Sequence, residues 1–302
     1  MYTDKKIIWQ QGSLEKGPFL FNNYVKMKVS IQGESGCFHE VAAREFYAGN
    51  LIDIVPCTTF DSTIGAVRTG EADVAVMAIE NARSGSLLYN YSLIRESGLK
   101  VLGEINLRVK QNLMALTGQS ISDIKQIRSH PIALAQCMTF LNQHPGITLV
   151  ETDDTAGSAR IISEHRLKKI AAIAPIAAAN IYGLEILAEG IETYKKNYTR
   201  FLVVGPEEKG VRNGNKISVC FATGHKPGSL AAVLVILAEM NINLSKIQSV
   251  PRLNGEWEYM FYLDLELPGN ITIEMIRKAI ENYTSNLEVL GIYNKGEKLY
   301  ES

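Results

Sequence analysis

The sequence lacks any pair of cysteines at the spacing of a zinc or redox site. Its four cysteines, Cys37, Cys57, Cys137 and Cys220, are scattered, the pattern of reduced thiols in a reducing compartment rather than of a disulfide frame. The five histidines show no metal-ligand spacing either. An excess of one charge is also missing. The formal net charge is -1, which leaves no electrostatic basis for binding nucleic acid or an anionic membrane. The longest apolar stretches, such as residues 170–179, fall well short of the roughly 20 residues a membrane-spanning helix requires. Near the N-terminus, the apolar run after Lys5-Lys6 is too short for a secretory signal, and no small-residue cleavage site follows. A cytoplasmic protein is expected.

What is present suffices for two domains. The chain has 302 residues, 46% hydrophobic and 21% charged, enough to bury separate cores. Met27 stands directly before the strand-like Lys28-Val29-Ser30-Ile31 and reads as a natural start. Residues 1–26 are therefore expected to be a dispensable extension, the alternative being a short arm packed on the body.

From residue 28 the pattern alternates. Segments 29–31, 52–56, 72–79, 112–116, 148–152, 171–174 and 201–204 read as strands. Segments 40–47, 60–69, 129–141, 155–164 and 176–182 read as helices. The alternation predicts an α/β domain over residues 27–205 with a mostly parallel sheet. In the 129–141 helix, Ser129 is expected as N-cap and Pro131 in the first turn. Residues 206–215 are polar and rich in glycine and asparagine, the composition of a linker. Over residues 216–295, strands and helices follow in the order βαββαβ, a ferredoxin-like unit. Its first helix carries Leu230, Val233, Leu234 and Leu237 at helical spacing, with Asn241 as a left-handed cap. A period-two strand runs over 257–266.

Three segments in order carry a family resemblance. They are Ala78-Ile79-Glu80-Asn81-Ala82-Arg83-Ser84-Gly85-Ser86, then Ser129-His130-Pro131 with Gln136-Cys137, then Asn197-Tyr198-Thr199-Arg200-Phe201. Residues 33–40, Asp154-Thr155-Ala156 and Tyr182-Gly183-Leu184 agree as flanks. Together these resemble the signature of the prephenate dehydratases, and the C-terminal unit resembles an ACT domain. The resemblance covers about residues 28–293.

It implies a carbon–oxygen lyase of phenylalanine biosynthesis. Prephenate loses carbon dioxide and its ring hydroxyl, giving phenylpyruvate and water, with no cofactor. It also implies a two-lobed catalytic region resembling the periplasmic binding proteins, with substrate in the cleft, and a homodimer or homotetramer. No helical chorismate mutase segment precedes the catalytic region, so a monofunctional enzyme is expected. The motifs do not separate this activity from arogenate dehydratase, the same chemistry on the transaminated substrate. The reading of another class is a non-catalytic ligand-binding protein on the same fold.

Such chemistry calls for neutral hydrogen-bond donors and a cation rather than a metal or a covalent nucleophile. Thr199 resembles the family's essential threonine, placed at the leaving hydroxyl. Asn81, Ser129 and Gln136 complete the expected catalytic set. Substrate contacts are expected from Arg200, Phe201, Glu80, Ser84, Ser86 and Thr155. Two roles stay open for Arg200. It can fork onto a carboxylate, but on an extended strand it points away from Thr199 and toward a structural salt bridge. Ala82 stands where the family has serine, and Cys37 and His39 stand where it often has threonine and serine. Cys37 reads as a small pocket-lining residue, and His130 as part of a helix start rather than a base. In the C-terminal unit the resemblance implies phenylalanine binding at Gly228, Ser229, Leu230, Gln248 and Ser249. There Gln248-Ser249-Val250-Pro251 replaces the family's Glu-Ser-Arg-Pro, which changes the charge of that site.

Overall fold

The computed structural model describes residues 26–211, 213–251 and 259–296. Residues 1–25 of the expected N-terminal extension, the first residues of the 257–266 strand and part of the linker lie outside the described residues.

Among the described residues the strands form three sheets. The first lobe is built from β1 (Met27–Gln32), α1 (Phe38–Phe46), β2 (Ile52–Cys57), α2 (Phe60–Arg68), β3 (Val74–Asn81), the short β4 (Gly85–Ser86), α3 (Leu88–Ser97) and β5 (Lys100–Arg108). The chain then crosses to a second lobe. That lobe comprises β6 (Asn112–Ala115), β7 (Gln126–Ser129), α4 (Pro131–Gln136), α5 (Met138–Leu141), β8 (Thr148–Glu151), α6 (Thr155–Glu164), β9 (Ile170–Ala174), α7 (Ile176–Tyr182) and β10 (Glu185–Ala188). It returns through β11 (Tyr198–Gly205), which inserts between β3 and β5. The two chain crossings lie side by side: Val109 N–H donates to Asn197 O at 2.8 Å, and Gln111 N–H to the Glu192 carboxylate at 2.9 Å.

Both lobe sheets are mixed. β1, β2 and β3 pair in parallel, whereas β11 runs antiparallel to β3 and β5. In the second sheet, ordered β10-β6-β9-β7-β8, β6 runs against its two neighbours and the other strands share one direction. The expectation of a mostly parallel sheet holds only for the core of each lobe. The returning strand must run against its neighbours because only two segments join the lobes.

The C-terminal unit is β12 (Lys216–Thr223), α8 (Ser229–Glu239), β13 (Asn243–Pro251), β14 (Tyr259–Glu266), α9 (Ile273–Ile280) and β15 (Thr284–Tyr293), the βαββαβ order, with strands arranged β13-β14-β12-β15. Asn241 takes φ +56 in the left-handed region just past α8, as its amide side chain permits. One face of this sheet packs on α8 and α9 through Val219, Phe221, Val233 and Ile276. The other face places Cys220, Tyr262 and Tyr293 against Ala75, Met77, Ile79 and Leu202, the back of the first lobe's sheet. The front of that sheet, with Val76, Ala78, Phe201 and Val203, continues into the core shared with the second lobe. The first sheet thus stands between the interlobe cleft and the C-terminal unit, and alternate residues of β3 and β11 look opposite ways.

Candidate active site

The cleft between the lobes holds a cavity of ≈ 300 Å³. Thr199 and Phe201 enter it from β11, Asn81 and Ala78 from β3, and Ser84, Gly85 and Ser86 from the loop that follows. The second lobe supplies His130, Gln136, Asp154 and Thr155.

A strand irregularity brings Asn81 to this face. Ala75, Met77 and Ile79 face the C-terminal unit, so strict alternation would send Asn81 there too. The pairing of β11 with β3 slips between Arg200 and Phe201, with Thr199 opposite Asn81, Arg200 opposite Glu80 and Phe201 opposite Ala78. One extra β3 residue is absorbed, which exchanges the two faces beyond it. Asn81 therefore joins Ala78 in the cleft, and Glu80 turns to the back.

Asn81 Oδ1 accepts the N–H groups of Arg83 and Ser84, both at 2.9 Å. This fixes the amide, so that Nδ2 donates to Thr199 Oγ1 at 2.8 Å and to Asn197 Oδ1 at 3.0 Å. Gln136 Oε1 accepts from Gln111 Nε2 at 3.3 Å. Gln111 is 2% exposed, and its own Oε1 has no partner among the described residues. Gln111 lines the cleft from the lobe crossing, and no periodicity or motif in the sequence marks it.

Several expectations are corrected. Arg200 does not reach the cleft. Its side chain lies on the back of the sheet, with Nε 2.6 Å from Glu104, Nη1 2.5 Å from Asp264 and 3.2 Å from Glu80, and Nη2 3.1 Å from Tyr293 Oη. Glu80 follows it there and pairs with Lys246. Both are drawn to that face by the strand geometry just described. Ser129 closes β7 instead of capping a helix, and its hydroxyl donates to Ile173 O at 2.6 Å, fully buried. The cap is His130, whose Nδ1 accepts the N–H of Ile132 at 3.2 Å. The single helix expected over 129–141 is two short ones, α4 and α5, broken at Cys137. The Ser84 N–H is held by Asn81, and the next helix begins after Leu87. Asp154 caps α6, accepting from Gly157 N–H at 2.6 Å.

Electrostatics divide the cleft residues into those that hold a proton and those that do not. Burial holds His39 neutral by lowering its pKa to about 4. Its Nε2 accepts the N–H of Ala78 at 3.2 Å, and its ring meets Phe201 edge-on at 5.1 Å. Burial, aided by the Asp154 charge, pushes the Cys37 thiol up to about 12. Burial also raises the Asp154 carboxyl above its ordinary value. Among the described residues no cluster of three or more histidine, cysteine or acidic side chains is disposed to hold a metal ion.

In the C-terminal unit, Gly228, Ser229 and Leu230 line a second cavity of ≈ 490 Å³ at the start of α8. Gly228 adopts φ +83 there. Gln248 and Ser249 lie outside that cavity on β13, where Ser249 pairs with Phe261 of its wall. The fold of one chain does not bring the two segments together.

Comparison with known proteins follows the same lines. The family description "Prephenate dehydratase" matches residues 29–209. The chain is 36% identical over 286 residues to arogenate dehydratase/prephenate dehydratase 2 of Arabidopsis thaliana, covering 90% of this chain and 74% of that one. It is 34% identical over 274 residues to the bifunctional chorismate mutase/prephenate dehydratase of Aquifex aeolicus, covering 89% and 74%. Among solved structures, the prephenate dehydratase of Arthrobacter aurescens in complex with L-Phe superposes with TM-score 0.78 at 28% identity, covering 91% and 92%. A protein described as a novel type of quorum-quenching acylase, GqqA, superposes with TM-score 0.80 at 29% identity, covering 88% and 97%.

Proposed function

The chain belongs to the prephenate dehydratase family, and from that premise we propose how its interlobe cleft carries out the dehydration. Loss of carbon dioxide from the quaternary ring carbon drives an electron pair through the ring and expels the hydroxyl opposite. Thr199 gives that hydroxyl its proton, so that it leaves as water, and is itself reprotonated from solvent. The observation that carries this reading is the hydrogen bond from Asn81 Nδ2 to Thr199 Oγ1 at 2.8 Å. A hydroxyl oxygen that accepts from a fixed amide keeps its own proton free for the cleft. The same amide stabilises negative charge developing on that oxygen. Phe201 walls the ring, and Gln136, Ser84 and Thr155 contact the substrate's polar ends.

No lysine or arginine is among the described residues lining the cleft. The substrate carboxylates meet instead the neutral hydrogen-bond donors of the cleft wall, among them Ser84, Gln136 and Thr155. Prephenate is the proposed substrate. Arogenate is a second reading favoured by Asp154, a cleft carboxylate with no salt bridge among the described residues, which suits an ammonium group. An acylase reading gains nothing from Cys37 or Ser129. The Cys37 thiol is held protonated and the Ser129 hydroxyl is committed to Ile173, which leaves neither as an activated nucleophile.

Phenylalanine as effector is proposed at the Gly228–Leu230 cavity, with Gln248 and Ser249 of a partner subunit completing the site. The edge of β13, unpaired among the described residues, suits pairing of two C-terminal units in a dimer or a tetramer. The cytoplasm is the proposed location; no helix among the described residues is long and apolar enough to cross a membrane. Steady-state kcat/KM with prephenate and with arogenate, each with and without phenylalanine, tests the whole reading. Preference for prephenate supports it, and turnover of arogenate alone moves it to the second substrate. A folded protein that turns over neither is a binding protein.

A further inference from the structure

The back of the catalytic sheet is held by a side chain of the C-terminal unit. Lys246, on β13, is buried, and its Nζ bonds the Glu80 carboxylate and lies 3.0 Å from Ser86 Oγ. Its charge also sits 4.8 Å from the Tyr91 ring centroid. Glu80 and Ser86 are directly opposed across the β3–β4 pair, with Asn81 opposite Gly85. The tight loop that these strands close carries Asn81 and Ser84 into the cleft, and Ser86 lines the cleft itself. A single ammonium therefore clamps both strands at the base of the loop, one residue from the amide that orients Thr199. The pairing of β13 with β14 slips between Leu244 and Lys246, which turns Lys246 out of the unit's own core and toward the catalytic lobe.

We propose that Lys246 is a positioning residue for the dehydration: it sets the Asn81–Ser86 loop, and through it the Thr199 hydroxyl, from the far side of the sheet. The active site is thus incomplete without the C-terminal unit, even when no effector is bound. This rests on the cleft being the dehydratase site. Because Lys246 touches no substrate, its loss lowers kcat and leaves KM nearly unchanged.

The test compares full-length wild type, Lys246→Met, Lys246→Arg, Ser86→Ala and the Lys246→Met/Ser86→Ala double variant. Hydrogen exchange over residues 81–87 and kcat and KM with prephenate are read for each. The expectation for Lys246→Met is faster exchange over 81–87 and a fall in kcat of about tenfold or more, with KM within about twofold. Lys246→Arg restores most of the rate, and the double variant loses little beyond Lys246→Met because both act through one contact. Unchanged exchange and kcat in Lys246→Met overturn the proposal. So does a loss that appears equally in KM, that Lys246→Arg fails to rescue, or that is simply additive with Ser86→Ala. If wild type turns over no substrate, the functional reading fails while the exchange measurement still decides whether Lys246 holds the loop.

Discussion

Asn81 and Thr199 stand directly opposite each other on β3 and β11, and the amide of the first donates to the hydroxyl of the second at 2.8 Å. The direction of that bond matters more than its length. Asn81 Oδ1 is occupied by two backbone N–H groups, so the amide cannot turn round and take the threonine's proton instead.

Asn81→Asp reverses this bond at nearly constant shape. A carboxylate accepts from Thr199, and the proton meant for the leaving hydroxyl points at the protein. The rate of phenylpyruvate formation is expected to fall about 100-fold or more, and the melting temperature to drop as well, because the new carboxylate faces the Tyr198 carbonyl oxygen that the amide had bonded. Stopped assays at several prephenate concentrations measure it.

Arg200 is expected to matter for stability. It is 6% exposed and shares Glu104 with Lys216 and Asp264 with Ser218, while Tyr293 contacts its remaining nitrogen. Arg200→Met leaves two buried carboxylates short of a cation, a loss of about 3–5 kcal/mol. Urea denaturation reads this as a lower midpoint. Whatever folded fraction remains is expected to keep KM close to wild type, because the guanidinium does not line the cleft.

His39 sets a pH dependence of stability. Its folded-state pKa, about 4, lies below the ordinary 6.5. The unfolded chain therefore takes up a proton first as pH falls, and the stability present above about pH 6.5 is lost progressively down to about pH 4. The melting temperature of wild type is expected to fall relative to that of His39→Leu as pH drops from about 6.5 to about 4, with the difference constant above pH 6.5. The activity profile is expected to show no step assignable to His39 between pH 6 and 8.

Cys37 lies in the cleft but holds its proton to about pH 12. Thiol alkylation needs the thiolate, so iodoacetamide at pH 7.5 is expected to leave activity intact. Cys37→Ala is expected to keep kcat within about threefold.

The alternation of strands and helices and the left-handed cap at Asn241 were legible because short-range sterics decide them. So was the placement of Thr199 and Phe201 on one face, which period-two geometry dictates. The open choice for Arg200 falls on the structural side by the same rule. The position of Asn81 was not derivable this way, since a slip in pairing with a strand more than a hundred residues away sets its direction. The strand Lys100–Arg108 escaped notice because Gly103, Glu104 and Asn106 interrupt its apolar pattern, and the buried Glu104 meets Arg200 and Lys216. Ser129 misled for a related reason. A serine before a proline reads as a cap, yet the strand β7 runs through it and hands the cap to His130. Gln111 carried no signal, because its role arises only where the two chain crossings meet.

The most direct test is the rate of phenylpyruvate formation from prephenate by Thr199→Val, which exchanges the hydroxyl for a methyl group of similar size. The account predicts a folded protein whose kcat falls about 100-fold or more, with KM changed little. A Thr199→Val enzyme within a few-fold of wild type would contradict it and assign the proton to another group in the cleft.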